Sequence, residues 1–143
     1  VIAIASGICN GIGYGDNSNA ALITRGLHEI AKLGVAMGAK EQTFYGLSGI
    51  GDLIATCLSK HSRNRYVGDE IAKGKKLEEI ISSMGMVAEG VNTTKVVKGL
   101  SDKFNIEMPI SNSVYEVLFM KKDPKISVKN LMIRKLKKER FQV

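Results

Sequence analysis

The sequence predicts an all-α fold, and three observations carry the prediction. Apolar residues recur at a roughly 3.6-residue rhythm along most of the chain, residues that start and stop helices flank those stretches, and no segment reads cleanly as a strand. With 143 residues, 44% hydrophobic and 24% charged, the chain can bury a core as one domain without metals or disulfides. We read residues 1–143 as a single multi-helix domain, with 127–143 forming a closing helix and basic tail.

Val1-Ile2-Ala3-Ile4-Ala5 is apolar, has no cap before it and does not begin with methionine, so Val1 is expected to be internal to a longer protein. Gly7, Gly11, Gly13 and Gly15 follow. Gly11 to Gly15 reads as a tightly turned connector. A dinucleotide fingerprint would need a strand before it, a helix directly after and a third glycine at the right offset. Asp16-Asn17 offers a cap for a long helix in which Ala21, Leu22, Arg25, His28, Glu29 and Lys32 alternate with Ile23, Leu27, Ile30, Ala31 and Val35. This helix is expected to be central and to stop at Gly38, where glycine tolerates the left-handed conformation.

Thr43 to Tyr45 leads into a glycine-dense turn, Gly46-Leu47-Ser48-Gly49-Ile50-Gly51-Asp52, and then the apolar Leu53, Ile54 and Ala55. Ser62 predicts the start of a helix running to about Gly74. Further helices are expected over 77–83, about 88–104, 110–120 and 127 towards 136, with Pro109 at a helix start and Pro124 in a connector. There is no internal repeat.

The formal net charge of +7 favours anionic partners. Arg134, Lys135, Lys137, Lys138 and Arg140 crowd the last ten positions, as a solvated helix end or frayed tail does. Aromatic stacking positions, a reading helix and zinc-finger spacing are lacking, so a small phosphorylated ligand is favoured and nucleic acid is not expected. No apolar run approaches the roughly 20 residues that cross a bilayer. The opening stretch is too short for a signal peptide, and we expect a cytoplasmic protein. Cys9 and Cys57 read as reduced, buried thiols. His28 and His61 lack metal-ligand spacing and read as helix-surface or turn residues, so no metal site is expected. Met84, Met86, Met108, Met120 and Met132 suit core filling.

Ser62-Arg63-Asn64-Arg65 gathers a cap hydroxyl, a guanidinium, an amide and free backbone N–H groups at one helix N-terminus. The helix end attracts an anion and an arginine fork matches phosphate oxygens. The alternative is a solvated, arginine-rich helix start. Asp52 is the one carboxylate whose small neighbours allow close approach by a ligand; it also fits a helix cap.

Several blocks together resemble bacterial glycerol-3-phosphate dehydrogenase, in the family's order: Val1-Ile2-Ala3-Ile4-Ala5-Ser6-Gly7, Gly15-Asp16-Asn17, Ala20-Ala21-Leu22-Ile23-Thr24-Arg25-Gly26, Gly46 to Leu53, Ser62 to Arg65, Val87-Ala88-Glu89-Gly90-Val91 and Glu107-Met108-Pro109-Ile110. The likeness runs from Val1 to about Lys122 and loosens beyond. It implies a helical substrate-binding domain like the C-terminal domain of 6-phosphogluconate dehydrogenase, paired with an N-terminal Rossmann domain. The implied reaction interconverts dihydroxyacetone phosphate and sn-glycerol 3-phosphate with NAD or NADP, for glycerophospholipid synthesis. The proton-transferring lysine is expected just ahead of Val1, so this chain alone is expected to be inactive. Asp52 would lie beside that lysine, with Thr56 supporting it as part of the catalytic cluster. Asp52, Ser62, Arg63 and Asn64 would bind substrate, while Arg63, Val87 and Glu89 would meet the cofactor. Apolar surface left without the partner domain could drive association, including a homodimer.

Two other readings stand beside this one. A free-standing basic helical module could bind nucleic acid or an acidic protein through its tail. A relative with the same helical fold could act on another substrate, as a 6-phosphogluconate-type or other hydroxy-acid dehydrogenase, although the Ser62 to Arg65 block argues against that.

Overall fold

The computed structural model describes residues 1–134 and contains eight α-helices and no strand among them. These are α1 (Ile2–Ile12), α2 (Asp16–Ala36), α3 (Asp52–Leu58), α4 (Arg63–Ala72), α5 (Leu77–Ser83), α6 (Glu89–Lys103), α7 (Pro109–Phe119) and α8 (Pro124–Met132). A 3₁₀ turn, Glu41–Tyr45, and a π-type turn, Leu47–Gly51, connect α2 to α3. Helices α4 to α7 fall within a few residues of where the sequence puts them. Gly38 follows α2 with φ of 95°, as the stop signal requires. Among the described residues no helix is long and apolar enough to cross a membrane. Residues 135–143, with Lys135, Lys137, Lys138, Arg140 and the end of the 127–143 closing segment, lie outside the described residues.

The element at the centre is α1, not the longer α2. Residues Ile2 through Cys9 are all buried, so α1 is covered on every side, and it touches α2, α3, α4, α7 and α8. An all-round apolar helix has no periodicity to announce it, which is why its amphipathic neighbour reads as central. Helix α1 also runs straight through Gly11 and Ile12, so the tight connector is confined to Gly13–Gly15.

The glycines inside α1 have a packing role. A Cβ on Gly7 would overlap the Arg65 carbonyl and come within 2.9 Å of the Asp69 amide, while one on Gly68 would overlap the Ile4 carbonyl. The backbones of α1 and α4 therefore lie against each other with no side chain between them, and this is the most extensive helix pair in the fold. Ser6 adds a polar tie: its Oγ reaches Asn19 Oδ1 of α2 at 3.1 Å and the Cys57 carbonyl of α3 at 3.2 Å.

Glu29 shares the helical rhythm of Arg25, His28 and Lys32, yet it is only 4% exposed. Its carboxylate accepts from the N–H of Ile110 at 2.6 Å, the N–H of Ser111 at 3.0 Å and the Ser111 hydroxyl at 2.8 Å. It thereby caps α7 from another element, since the residue at that helix's own cap position, Met108, has no side-chain oxygen to offer. Burial pushes the Glu29 carboxyl above the ordinary glutamate value, and the Ile110 and Ser111 donors pull against that.

Other local signals resolve differently from their sequence reading. Gly15, not Asp16 or Asn17, occupies the cap position of α2, and Asp16 is its first residue without a side-chain cap bond. Pro124 opens α8 instead of sitting in a connector, because Asp123 caps that helix by accepting from the Ile126 N–H at 2.9 Å. Met108 fills the core, but Met86 and Met120 are exposed at 67% and 66%, so the methionines are not uniformly core residues. Cys9 and Cys57 are buried free thiols.

Two substitutions probe these contacts. Gly68→Ala should destabilise the fold by about 3 kcal/mol or more, because the added methyl meets backbone that cannot move without separating α1 from α4. A thermal midpoint equal to wild type would contradict the contact. Glu29→Gln places an NH₂ group against the α7 donors and should cost about 1–3 kcal/mol in denaturant unfolding; an unchanged midpoint would remove Glu29 as the cap.

Candidate active site

Helix α4 begins where its sequence says it should. Ser62 stands at the cap with extended backbone, and its Oγ accepts from the Arg65 N–H at 3.2 Å. Capping uses a lone pair, so the hydroxyl proton remains available to donate. The N–H groups of Arg63 and Asn64, in the first turn, have no acceptor within the helix.

The two arginines of this block serve different ends. Arg65 Nη1 donates to the Leu58 carbonyl at 2.5 Å and its Nε lies 3.9 Å from Asp69 Oδ2, so it ties the end of α3 to α4. Arg63 is exposed and lines a cleft of about 340 Å³ together with Ala55, Thr56, Ser59, His61, Ser62, Asn64, Ala88 and Glu89. One wall is the end of α3 and the 59–62 turn, where the His61 N–H donates to Ser59 Oγ at 3.1 Å. The opposite wall is the start of α6.

Helix α6 joins this cleft through Asn64. The residue at its own cap position, Ala88, has no side-chain acceptor, and Asn64 Oδ1 supplies one by accepting from the Gly90 N–H at 2.9 Å. Two helix N-termini thus converge, one bearing Arg63 and Asn64 and the other bearing Glu89. Both ends present partial positive charge to whatever occupies the space.

The sequence-predicted site residues divide accordingly. Thr56, Ser62, Arg63, Asn64 and Glu89 come together around the cleft. Asp52 is exposed at the first turn of α3, one turn before Thr56, and does not line it. Neither Asp52 nor Glu89 makes a side-chain cap bond, although each begins a helix. Val87, 62% exposed, sits beside the lining residue Ala88. Cys57, between Thr56 and Leu58, is fully buried, and burial pushes its thiol up to about 11, with the Asp52 carboxylate adding to the rise. It is therefore a protonated packing residue and no nucleophile. His28 is exposed on α2, away from the cleft lining. Ser59 and His61 line the cleft without having been singled out for it. Their adjacency to Ser62 was the only available signal. No group of three or more His, Cys, Asp or Glu side chains among the described residues could hold a metal ion.

The geometry defines a helical domain whose polar cleft, floored by helix N-termini and an arginine, suits a small phosphorylated ligand. Comparison with known proteins gives the family. Residues 1–129 match the model of the NAD-dependent glycerol-3-phosphate dehydrogenase C-terminus, and the chain belongs to that family. It is 58% identical over 139 residues to glycerol-3-phosphate dehydrogenase [NAD(P)+] of Chlorobium phaeobacteroides, covering 97% of this chain and 42% of that protein. Among solved structures, glycerol-3-phosphate dehydrogenase from Coxiella burnetii superposes with a TM-score of 0.91 at 41% identity, over 93% of this chain and 41% of that one. The Saccharomyces cerevisiae glycerol-3-phosphate dehydrogenase superposes with a TM-score of 0.83 at 28% identity, over 93% of this chain and 39% of that one. The chain thus spans about two fifths of the length of these relatives.

Proposed function

We propose that this chain supplies the substrate-binding half of an oxidoreductase that interconverts dihydroxyacetone phosphate and sn-glycerol 3-phosphate with NAD(P)H, feeding glycerophospholipid synthesis. The observation that carries the reading is the convergence of the α4 and α6 N-termini on one cleft that also holds Arg63. The family and the likeness to glycerol-3-phosphate dehydrogenases support it, and an N-terminal Rossmann domain is the partner they imply. We place the protein in the cytoplasm, where Cys9 and Cys57 stay reduced.

In this reading the phosphate sits at the start of α4. The Arg63 guanidinium, the Asn64 amide, the Ser62 hydroxyl and the free first-turn N–H groups donate to its oxygens. Holding the phosphate fixes the three-carbon chain, so binding energy remote from the reacting carbon is used to orient it.

At the other wall Glu89 is exposed and acceptor-only, suited to a ribose hydroxyl or carboxamide, and Val87 offers exposed apolar surface. These residues fit the edge of a nicotinamide cofactor, with Arg63 close enough along the cleft to serve it as well. When bound, that cofactor gives or takes the hydride at the substrate's central carbon. The proton on the substrate oxygen belongs to the lysine that the family resemblance places ahead of Val1. Asp52 would orient that ammonium, with Thr56 beside it.

The test is cofactor absorbance followed in the complete protein as dihydroxyacetone phosphate is added. No oxidation of NADH or NADPH would overturn the substrate assignment. Arg63→Ala should lower kcat/KM about 10- to 100-fold, mainly through KM, by removing a charge-assisted phosphate contact; wild-type kinetics would sink that role. Asp52→Asn should lower kcat and displace the pH profile, since the ammonium loses its carboxylate neighbour. An unaltered profile would take Asp52 out of the mechanism.

A further inference from the structure

Asn64 has two edges, and only one can face a ligand. Its Oδ1 is committed to the Gly90 N–H at 2.9 Å, so its NH₂ group is the edge left for the cleft it lines. A phosphate accepts hydrogen bonds and cannot donate when fully ionised, so this is the useful orientation. The opposite one would set a carbonyl oxygen against the anion.

What holds that orientation is the absence of a side chain at position 90. Gly90 lies within α6 with ordinary helical backbone, so glycine is not needed there for its conformational freedom. Space is the constraint. A Cβ would stand 2.7 Å from Asn64 Oδ1, 3.0 Å from its Cγ and 3.2 Å from Ile4 Cδ1. Ile4 is completely buried and the closest atoms belong to Asn64, so the Asn64 side chain would be displaced. Within α6 the buried Thr94 hydroxyl donates to the Gly90 carbonyl at 2.7 Å.

We infer that Gly90 is a positioning residue: it sets the Asn64 amide with its donor edge towards the substrate phosphate. This rests on the proposed reaction. Gly90 touches neither substrate nor cofactor, and acts only through Asn64.

The experiment compares Gly90→Ala with wild type in the complete protein, on dihydroxyacetone phosphate and on dihydroxyacetone, which lacks the phosphate. Activity of the wild type on the phosphorylated compound establishes the reading beneath the inference, and its absence defeats that reading alone. Given that activity, Gly90→Ala should lower kcat/KM for dihydroxyacetone phosphate at least tenfold, chiefly through KM, and change that for dihydroxyacetone less than twofold. Equal losses on both substrates would mean general distortion and overturn the inference, as would no loss on either. Should Gly90→Ala fail to fold, the double variant Asn64→Ala/Gly90→Ala decides, because it removes the side chain that the new methyl would strike. Stability and kinetics matching those of Asn64→Ala alone uphold action through Asn64. A further loss beyond Asn64→Ala refutes it.

Discussion

The contact on which the rest of the molecule depends is the bare backbone interface between α1 and α4. Gly7 and Gly68 let two helices meet with no side chain between them, and every other α-helix among the described residues packs on one or both of them. Helix α4 carries Ser62, Arg63 and Asn64 at its start, so the position of the cleft's donors follows from where α1 lies. Because α1 is buried on all sides, that reference does not drift with solvent-exposed surroundings. Arg65 then adds the end of α3 to the same framework through the Leu58 carbonyl.

A second theme is capping supplied from elsewhere in the chain. Helices α6 and α7 follow Ala88 and Met108, neither of which can accept a hydrogen bond through its side chain. In both cases the orphan amides are met from an earlier helix, by Asn64 for α6 and by Glu29 for α7. The two arrangements differ in consequence. Glu29 is enclosed and its three hydrogen bonds all go to the start of α7, so it is architectural. Asn64 borders a cleft and has capacity left over, so one side chain both completes a helix and addresses a ligand.

Most of the helical layout was legible in the sequence because its signals are local. Ser62 caps α4 and Pro109 opens α7 as their residue types dictate, and Ser62, Arg63 and Asn64 of the Ser62 to Arg65 block line the cleft. The misses have a common cause. The centrality of α1, the burial of Glu29 and the partnership of Asn64 with Gly90 are all long-range facts, invisible to periodicity and cap rules. Glu29 in particular keeps helical spacing with exposed neighbours, and only its partners 81 and 82 positions away reveal that it faces inward. The division of labour between Arg63 and Arg65 was likewise decided by packing, since two residues apart on a helix means different faces.

The borrowed caps also bear on the order in which the molecule can assemble. The amide of Gly90 waits for a residue 26 positions earlier, and those of Ile110 and Ser111 for one more than 80 positions earlier. Closing loops of that length costs entropy before any bond is gained. Short helices such as α7 are marginal in isolation. The beginnings of α6 and α7 should therefore form late, together with the docking of the segments that complete them. The cleft wall at Glu89 therefore forms only as the helices dock, and the sequence of α6 alone does not specify it.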